Sequence, residues 1–285
     1  MTDIPPPAPY PIPEGGRALV FDSGVGGLTV AREIQALAPN LAVDYSADTG
    51  FFPYGDKSDD ALRARLPAVA SSLYETVRPD VFVIACNTAS TLALKEVRAA
   101  LPCPVVGTVP AIKPAAQKSK SGVIGLLATP GTIGRKYTDD LIASFASEAR
   151  IIKHGSVELV NLAEAHARGE DVPPEAFAEV QRPLFDAPGG EQIDTIVLAC
   201  THFPLVRNEL IESAPRPVTY IDSGEAIARQ TLRLIQAGKP RETGGRAFIT
   251  DDPAPRIHLT ETLKRFRFDQ VYEVAVANFH SRATG

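Results

Sequence analysis

The 285-residue chain has no tryptophan, one methionine and three cysteines. Cys86, Cys103 and Cys200 are few and widely spaced, which argues against a disulfide scaffold and against a zinc cluster. The five histidines show no His-x-x-x-His spacing, so no metal site is expected. No apolar run reaches the length of a membrane span, and no membrane contact is expected. The formal net charge is −5, with no basic excess to attract nucleic acid. The N-terminus, Met-Thr-Asp-Ile-Pro-Pro-Pro, lacks the basic and apolar regions of a signal peptide. Free thiols without an export signal point to the reducing cytoplasm. What is present is ordinary for a globular chain: 44% hydrophobic and 22% charged residues, enough for one large or two average domains.

Residues 1–16 hold six prolines and end in Gly15-Gly16, which predicts a flexible tail. From Arg17 onward, strand-like and helix-like segments alternate. Strands are predicted over 17–22, 41–47, 80–86, 104–108, 122–128, 150–154, 193–200, 217–221, 246–250 and 270–276. Helices are predicted over 26–37, 59–77, 88–100, 135–149, 157–168, 173–186, 205–213 and 224–237. This alternation predicts an α/β fold: two similar domains with mainly parallel sheets and flanking helices. The expected division is 17–110 with 218–285 as a discontinuous first domain and 111–217 as the second. In the 59–77 helix, Ser58 can cap, and Leu62, Leu66, Val69, Leu73 and Val77 share one face. Pro67 is expected to kink or split it.

Two near-copies of one phrase carry the functional signal. Val81-Phe-Val-Ile-Ala-Cys86-Asn-Thr-Ala-Ser90 and Thr195-Ile-Val-Leu-Ala-Cys200-Thr-His-Phe-Pro204 are each an apolar run ending at a cysteine followed by polar residues. Such a run reads as a buried parallel strand that delivers a thiol to its C-terminal edge, where ligands of open α/β sheets bind. Two matched thiols suggest a pair facing one substrate from opposite sides, in a cleft between the domains. Both are expected at helix starts, where free N–H groups favour thiolate. Cys103, between two prolines, has no such setting.

Other segments fall at the same edge. Asp22-Ser23-Gly24-Val25-Gly26-Gly27 follows a strand and precedes a helix, so its glycines allow a tight turn and close approach to a ligand. It does not match the dinucleotide spacing Gly-x-Gly-x-x-Gly, and Asp22 suits an ammonium group better than a phosphate. Pro53-Tyr54-Gly55 lies in a long loop after a strand. His202 is placed to tune Cys200. Glu164, on a helical stretch, reads from the sequence alone as a solvated face residue.

Together these segments resemble the glutamate racemases of the cofactor-independent aspartate/glutamate racemase superfamily. The resemblance rests on Phe21-Asp-Ser-Gly-Val-Gly-Gly-Leu-Thr-Val30, on Ala47-Asp-Thr with Phe52-Pro-Tyr-Gly-Asp-Lys-Ser58, on Ile84-Ala-Cys-Asn-Thr-Ala-Ser90 and on Leu198-Ala-Cys-Thr-His-Phe-Pro-Leu205, in family order over roughly residues 17–250. It implies catalytic roles for Cys86 and Cys200, with Asp22, His202 and Glu164 assisting. It implies substrate contacts from Asp22, Ser23, Pro53, Tyr54, Gly55, Asn87, Thr88, Thr129, Thr132, Thr201 and His202. Asn161 stands near Glu164 where the family pattern has a proline. The resemblance further implies L- and D-glutamate as substrates, no cofactor, a homodimer and a role in supplying D-glutamate for peptidoglycan. Cys86 would take the proton from D-glutamate and Cys200 from L-glutamate.

Two thiols suit such chemistry. One removes the α-proton from one face while the other returns a proton to the opposite face, and a thiol titrates near enough to neutrality to serve in either form. Competing readings are an aspartate or hydantoin racemase of the same superfamily, and a binding or regulatory protein on this fold. A thiol oxidoreductase is disfavoured by the lack of Cys-x-x-Cys.

Overall fold

A computed structural model describes residues 16–235, 245–250 and 256–276. The proline-rich tail, apart from Gly16, and positions 236–237 of the last predicted helix lie outside the described residues. The strands are β1 (Arg17–Asp22), β2 (Ala42–Ala47), β3 (Val81–Ile84), β4 (Val105–Gly107), β5 (Val123–Ala128), β6 (Arg150–Gly155), β7 (Thr195–Ala199), β8 (Thr219–Ile221), β9 (Arg246–Ile249) and β10 (Gln270–Glu273). They form a six-stranded sheet ordered β10-β9-β2-β1-β3-β4 and a four-stranded sheet ordered β6-β5-β7-β8. Every strand pair among the described residues is parallel.

The helices are α1 (Leu28–Leu37), α2 (Asp59–Val77), α3 (Asn87–Ala100), α4 (Ile112–Lys118), α5 (Pro130–Ile133), α6 (Lys136–Phe145), α7 (Glu158–Arg168), α8 (Pro174–Asp186), α9 (Arg207–Ser213), α10 (Gly224–Leu234) and α11 (Arg256–Arg265). Both faces of each sheet are covered, so the central strands are apolar at successive positions rather than alternately. In β1 and β3, Val20 and Val83 pack against Leu28 and Ile34 of α1 and Ile227 of α10. Phe21, Phe82 and Ile84 pack on the other side against Leu62, Leu66 and Val69 of α2. The second sheet is filled in the same way, with Leu127 and Leu198 against α7 and α8 on one face and Leu126 and Val197 against α4 on the other.

The two sheets share an order. The series β2-β1-β3-β4 in one corresponds to β6-β5-β7-β8 in the other. In each, the chain steps outward from a first strand and then reverses to its other side. The reversal opens a crevice at the strand C-termini, between β1 and β3 in the first sheet and between β5 and β7 in the second. These are the strands that end at Asp22, before Cys86, at Ala128 and before Cys200.

Two expectations are corrected. The chain returns to the first sheet after Ile221, not at 218, because Thr219–Ile221 hydrogen-bonds to β7. Pro67 does not split α2, which runs unbroken over 19 residues with Ser58 capping the Ala61 amide at 3.3 Å. Its buried stripe of Leu62, Leu66, Val69, Leu73 and Val77 spans the proline on both sides. The helical break falls instead in α3, at Ala93 (φ −134°, ψ 16°). Among the described residues, no helix is long and apolar enough to cross a membrane.

Candidate active site

The crevices of the two sheets face each other and enclose a cleft with about 30 Å³ of free volume. Its walls include Ser23, Pro53, Tyr54, Gly55, Cys86, Asn87, Thr88, Thr129, Thr132, Cys200, Thr201 and His202, together with Phe52, Val157 and Val160. Residues drawn from six separate stretches of chain thus meet at one place. Cys86 and Cys200 are both buried and both free, so neither is tied up in a disulfide.

Cys86 sits at the N-cap of α3, as expected. Cys200 does not cap a helix: its carbonyl accepts from the Phe203 amide at 3.1 Å, and a short 3-10 segment, Phe203–Val206, follows. The helix start favours thiolate at Cys86 through the Ala89 amide, but burial outweighs it. Burial pushes this thiol up, the Asp22 and Cys200 charges push the same way, and the opposing Ala89 amide and Ser23 hydroxyl do not offset them. The surroundings of Cys86 thus favour its thiol over its thiolate.

Behind Cys200 lies a relay. Its Sγ is 3.8 Å from His202 Nδ1, and His202 Nε2 is 2.8 Å from Glu164 Oε1. Glu164 Oε1 also accepts the Val25 amide of the first sheet's turn at 3.1 Å. Glu164 is not the solvated residue its helical position suggests, because its side chain is 14% exposed and faces His202. Burial opposes the charged form of both partners. At His202 the Cys200 and Glu164 contacts outweigh it, and the imidazolium is held well above its ordinary value. At Glu164 the His202 bond and charge outweigh burial, and the carboxyl lies below its ordinary value.

These directions fix a pH dependence. Glu164 contributes stability above 4.5 that is lost as pH falls through its lowered folded value. His202 contributes stability below 6.5 that is lost as pH rises through its raised folded value. The difference in Tm between the native chain and Glu164→Gln is expected to be largest between those pH values and to shrink on either side. A difference that grows steadily above pH 8 would contradict an ion pair here.

Asp22 stands behind the cleft wall rather than in its lining. It is fully buried. Its Oδ1 accepts from the Ser23 hydroxyl at 3.1 Å and the Gly24 amide at 3.0 Å, and its Oδ2 accepts from Thr201 Oγ1 at 2.7 Å. Burial raises its carboxyl, with His202 and these three donors pulling the other way. The Thr201 bond joins the two halves directly. A second link runs through hydroxyls, from Thr88 to Thr129 at 3.4 Å and from Thr129 to Thr132 at 3.1 Å. Asn87 Oδ1, in the same wall, is buried without a hydrogen-bond partner.

The sequence reading missed why the turn after Asp22 needs glycine. None of Gly24, Gly26 and Gly27 has positive φ. Space decides instead: a Cβ on Gly26 would lie 2.6 Å from His202 Nδ1, and one on Gly24 would lie 2.6 Å from Glu164 Oε1. The close approach is to the other half of the protein. Tyr45 was also missed, although its hydroxyl donates to the Gly24 carbonyl at 2.6 Å and holds that turn.

Comparison with known proteins agrees with this geometry. Residues 29–231 match the family model described as Asp/Glu/Hydantoin racemase. A curated glutamate racemase of Sphingopyxis alaskensis is 52% identical over 229 residues, covering 80% of this chain and 84% of its own. One from Escherichia coli is 44% identical over 261 residues, with 90% and 91% covered. The crystal structure of Escherichia coli glutamate racemase in complex with L-glutamate and the activator UDP-MurNAc-ala superposes with a TM-score of 0.86 at 43% identity, over 92% of this chain and 99% of that one. With two matched thiols at two matched crevices and similarity of this extent, the chain belongs to the Asp/Glu/hydantoin racemase family, among its glutamate racemases.

Proposed function

We propose that the protein interconverts L- and D-glutamate by transferring the α-proton between two thiols, without a cofactor. One observation carries this reading: Cys86 and Cys200, both free, line a single cleft from opposite sheets. The L-glutamate bound by the Escherichia coli neighbour supports the substrate. Cys200 takes the proton of L-glutamate while the Cys86 thiol delivers one to the opposite face, and the roles reverse for D-glutamate. His202, bonded to Glu164, is the proton partner of Cys200. Asp22 orders the Ser23–Gly24 turn and Thr201, and so sets the two walls in register. Donors at the start of α3 and around Thr129, Thr132 and Thr201 hold carboxylates and stabilise the charge that develops at the α-carbon. The open Oδ1 of Asn87 is a fitting acceptor for the substrate ammonium group.

A free volume near 30 Å³ suits water rather than an amino acid. Substrate entry therefore requires the two walls to part. Arg135 to Asp59, at 2.7 and 2.8 Å, is one contact that spans them at the surface and would open with them. Cytoplasmic residence, a homodimeric state and supply of D-glutamate for peptidoglycan belong to the same reading. The free thiols support the first of these, and sedimentation tests the second.

The direct test follows circular dichroism of L-glutamate and, separately, D-glutamate with purified protein and no added cofactor. Decay to zero from both sides is the expected result. A panel with aspartate and hydantoins separates the neighbouring activities, and faster turnover of either would reassign the substrate. Inertness toward all of them would leave a binding role.

A further inference from the structure

Asp48 follows β2 and lines no part of the cleft, yet its carboxylate is among the most densely bonded groups in the protein. It is fully buried. Arg65, on α2, donates to it from Nε at 3.0 Å and from Nη2 at 2.6 Å. The Tyr54 hydroxyl donates at 2.7 Å and the Thr250 hydroxyl at 2.6 Å. Its own amide donates to the Asp22 carbonyl at 3.0 Å. Three elements distant in sequence, the ends of β2 and β9 and the body of α2, thus converge on one carboxylate. Of its side-chain partners, only Tyr54 belongs to the cleft wall.

That wall needs an anchor. Pro53, Tyr54 and Gly55 lie in a loop whose only regular structure is two single 3-10 turns, Thr49–Phe51 and Tyr54–Asp56. The Tyr54 side chain sets its ring 6.5 Å from that of Phe21 and its hydroxyl on Asp48. Thr250 also accepts the Gly50 amide at 3.1 Å, which fixes the near end of the same loop. Arg65 serves a second purpose. Its guanidinium cancels the Asp48 charge, so the anchor does not set an uncompensated anion behind a wall that receives a dicarboxylate.

We propose that Asp48 is a positioning residue for glutamate binding, holding the Pro53–Tyr54–Gly55 wall through the Tyr54 hydroxyl and the Asp22 turn through its backbone amide, with Arg65 neutralising it. This rests on the functional reading above.

The test uses the full chain and variants Tyr54→Phe, Thr250→Val and Asp48→Asn, assayed in both directions. Tyr54→Phe removes one donor and no packing atoms of the ring, and Thr250→Val removes the other at a distance from the cleft. Tyr54→Phe is expected to raise KM for both enantiomers about tenfold, the factor for one hydrogen bond to a charged group, with kcat little changed. Thr250→Val is expected to raise KM in the same sense. Tyr54→Phe combined with Asp48→Asn is expected to cost less than the product of the two, because both act through one bond. Unshifted KM in Tyr54→Phe and Thr250→Val, beside an active native enzyme, overturns the proposal. So does a fall in kcat alone. If Asp48→Asn fails to fold, the other two variants still decide. An inactive native protein refutes the racemase reading itself and takes this proposal with it.

Discussion

Cys86→Ala and Cys200→Ala are each expected to lower kcat for racemisation by roughly 10³-fold, within the range that a positioned acid or base contributes. The loss should be symmetric in the two directions, because each turnover uses both thiols. Proton exchange should not be symmetric. Cys86→Ala retains the thiol that faces the α-proton of L-glutamate, so L-glutamate in deuterium oxide should exchange that proton while keeping its configuration. Cys200→Ala should do the same with D-glutamate. Mass spectrometry of the recovered amino acid, with its enantiomers separated, reads both quantities. Near-normal turnover in either variant ends the two-thiol mechanism. Exchange from both enantiomers in one variant would mean that a single base reaches both faces. The depth at which Cys86 lies gives the prediction its weight. Burial favours its thiol form, the form that returns a proton when L-glutamate is the substrate; for D-glutamate it must first lose that proton and then act as the base.

The second large effect concerns stability. Asp44, in the middle of β2, is fully buried between Arg17 at the start of β1 and Arg246 at the start of β9. Arg246 donates to it from Nε at 3.2 Å, and Arg17 is itself 9% exposed at the side chain. One carboxylate therefore ties three adjacent parallel strands together. Asp44→Asn leaves Arg17 buried without its counter-charge and is expected to cost about 3–5 kcal/mol. That is a large fraction of the roughly 5–15 kcal/mol that holds a domain folded. It corresponds to a fall in Tm of about 10 °C for a chain of this size. Urea unfolding of the two proteins measures it. Replacing Asp44 and Arg17 together with apolar residues of similar volume should recover much of the loss, since the cost lies in the orphaned charge. A loss below about 1 kcal/mol in the single variant would show that water reaches the Arg17 guanidinium.

The same contrast between local and distant causes explains what could be read in advance. The strands ending at Cys86 and Cys200 were legible because a parallel strand covered on both faces must be apolar at every position, and that leaves an unbroken run in the sequence. Helix α2 was legible from its cap and its stripe. Helix α4 was not, because seven residues containing Pro114 carry too little pattern to distinguish from a loop. Helix α11, with few apolar residues among its ten, gave no usable period either. Pro67 does not split α2, because burial on both sides of a proline can exceed the cost of its missing hydrogen bond.

By itself the sequence determined the class of the fold, the alternation of its elements and the two thiols at matched strand ends, since each of these is written in residues that are neighbours along the chain. Only the tertiary structure decided which side chains meet. It put Glu164 against His202 and the Val25 amide, set Asp22 behind the wall, reserved Gly24 and Gly26 for the approach of the opposite half, and gathered Arg65, Tyr54 and Thr250 on Asp48. The Val25–Glu164 and Asp48–Thr250 pairs are separated by 139 and 202 positions. Contacts of such span leave no period or local pattern, because the bonds form only once two sheets with the same strand order close their crevices on each other.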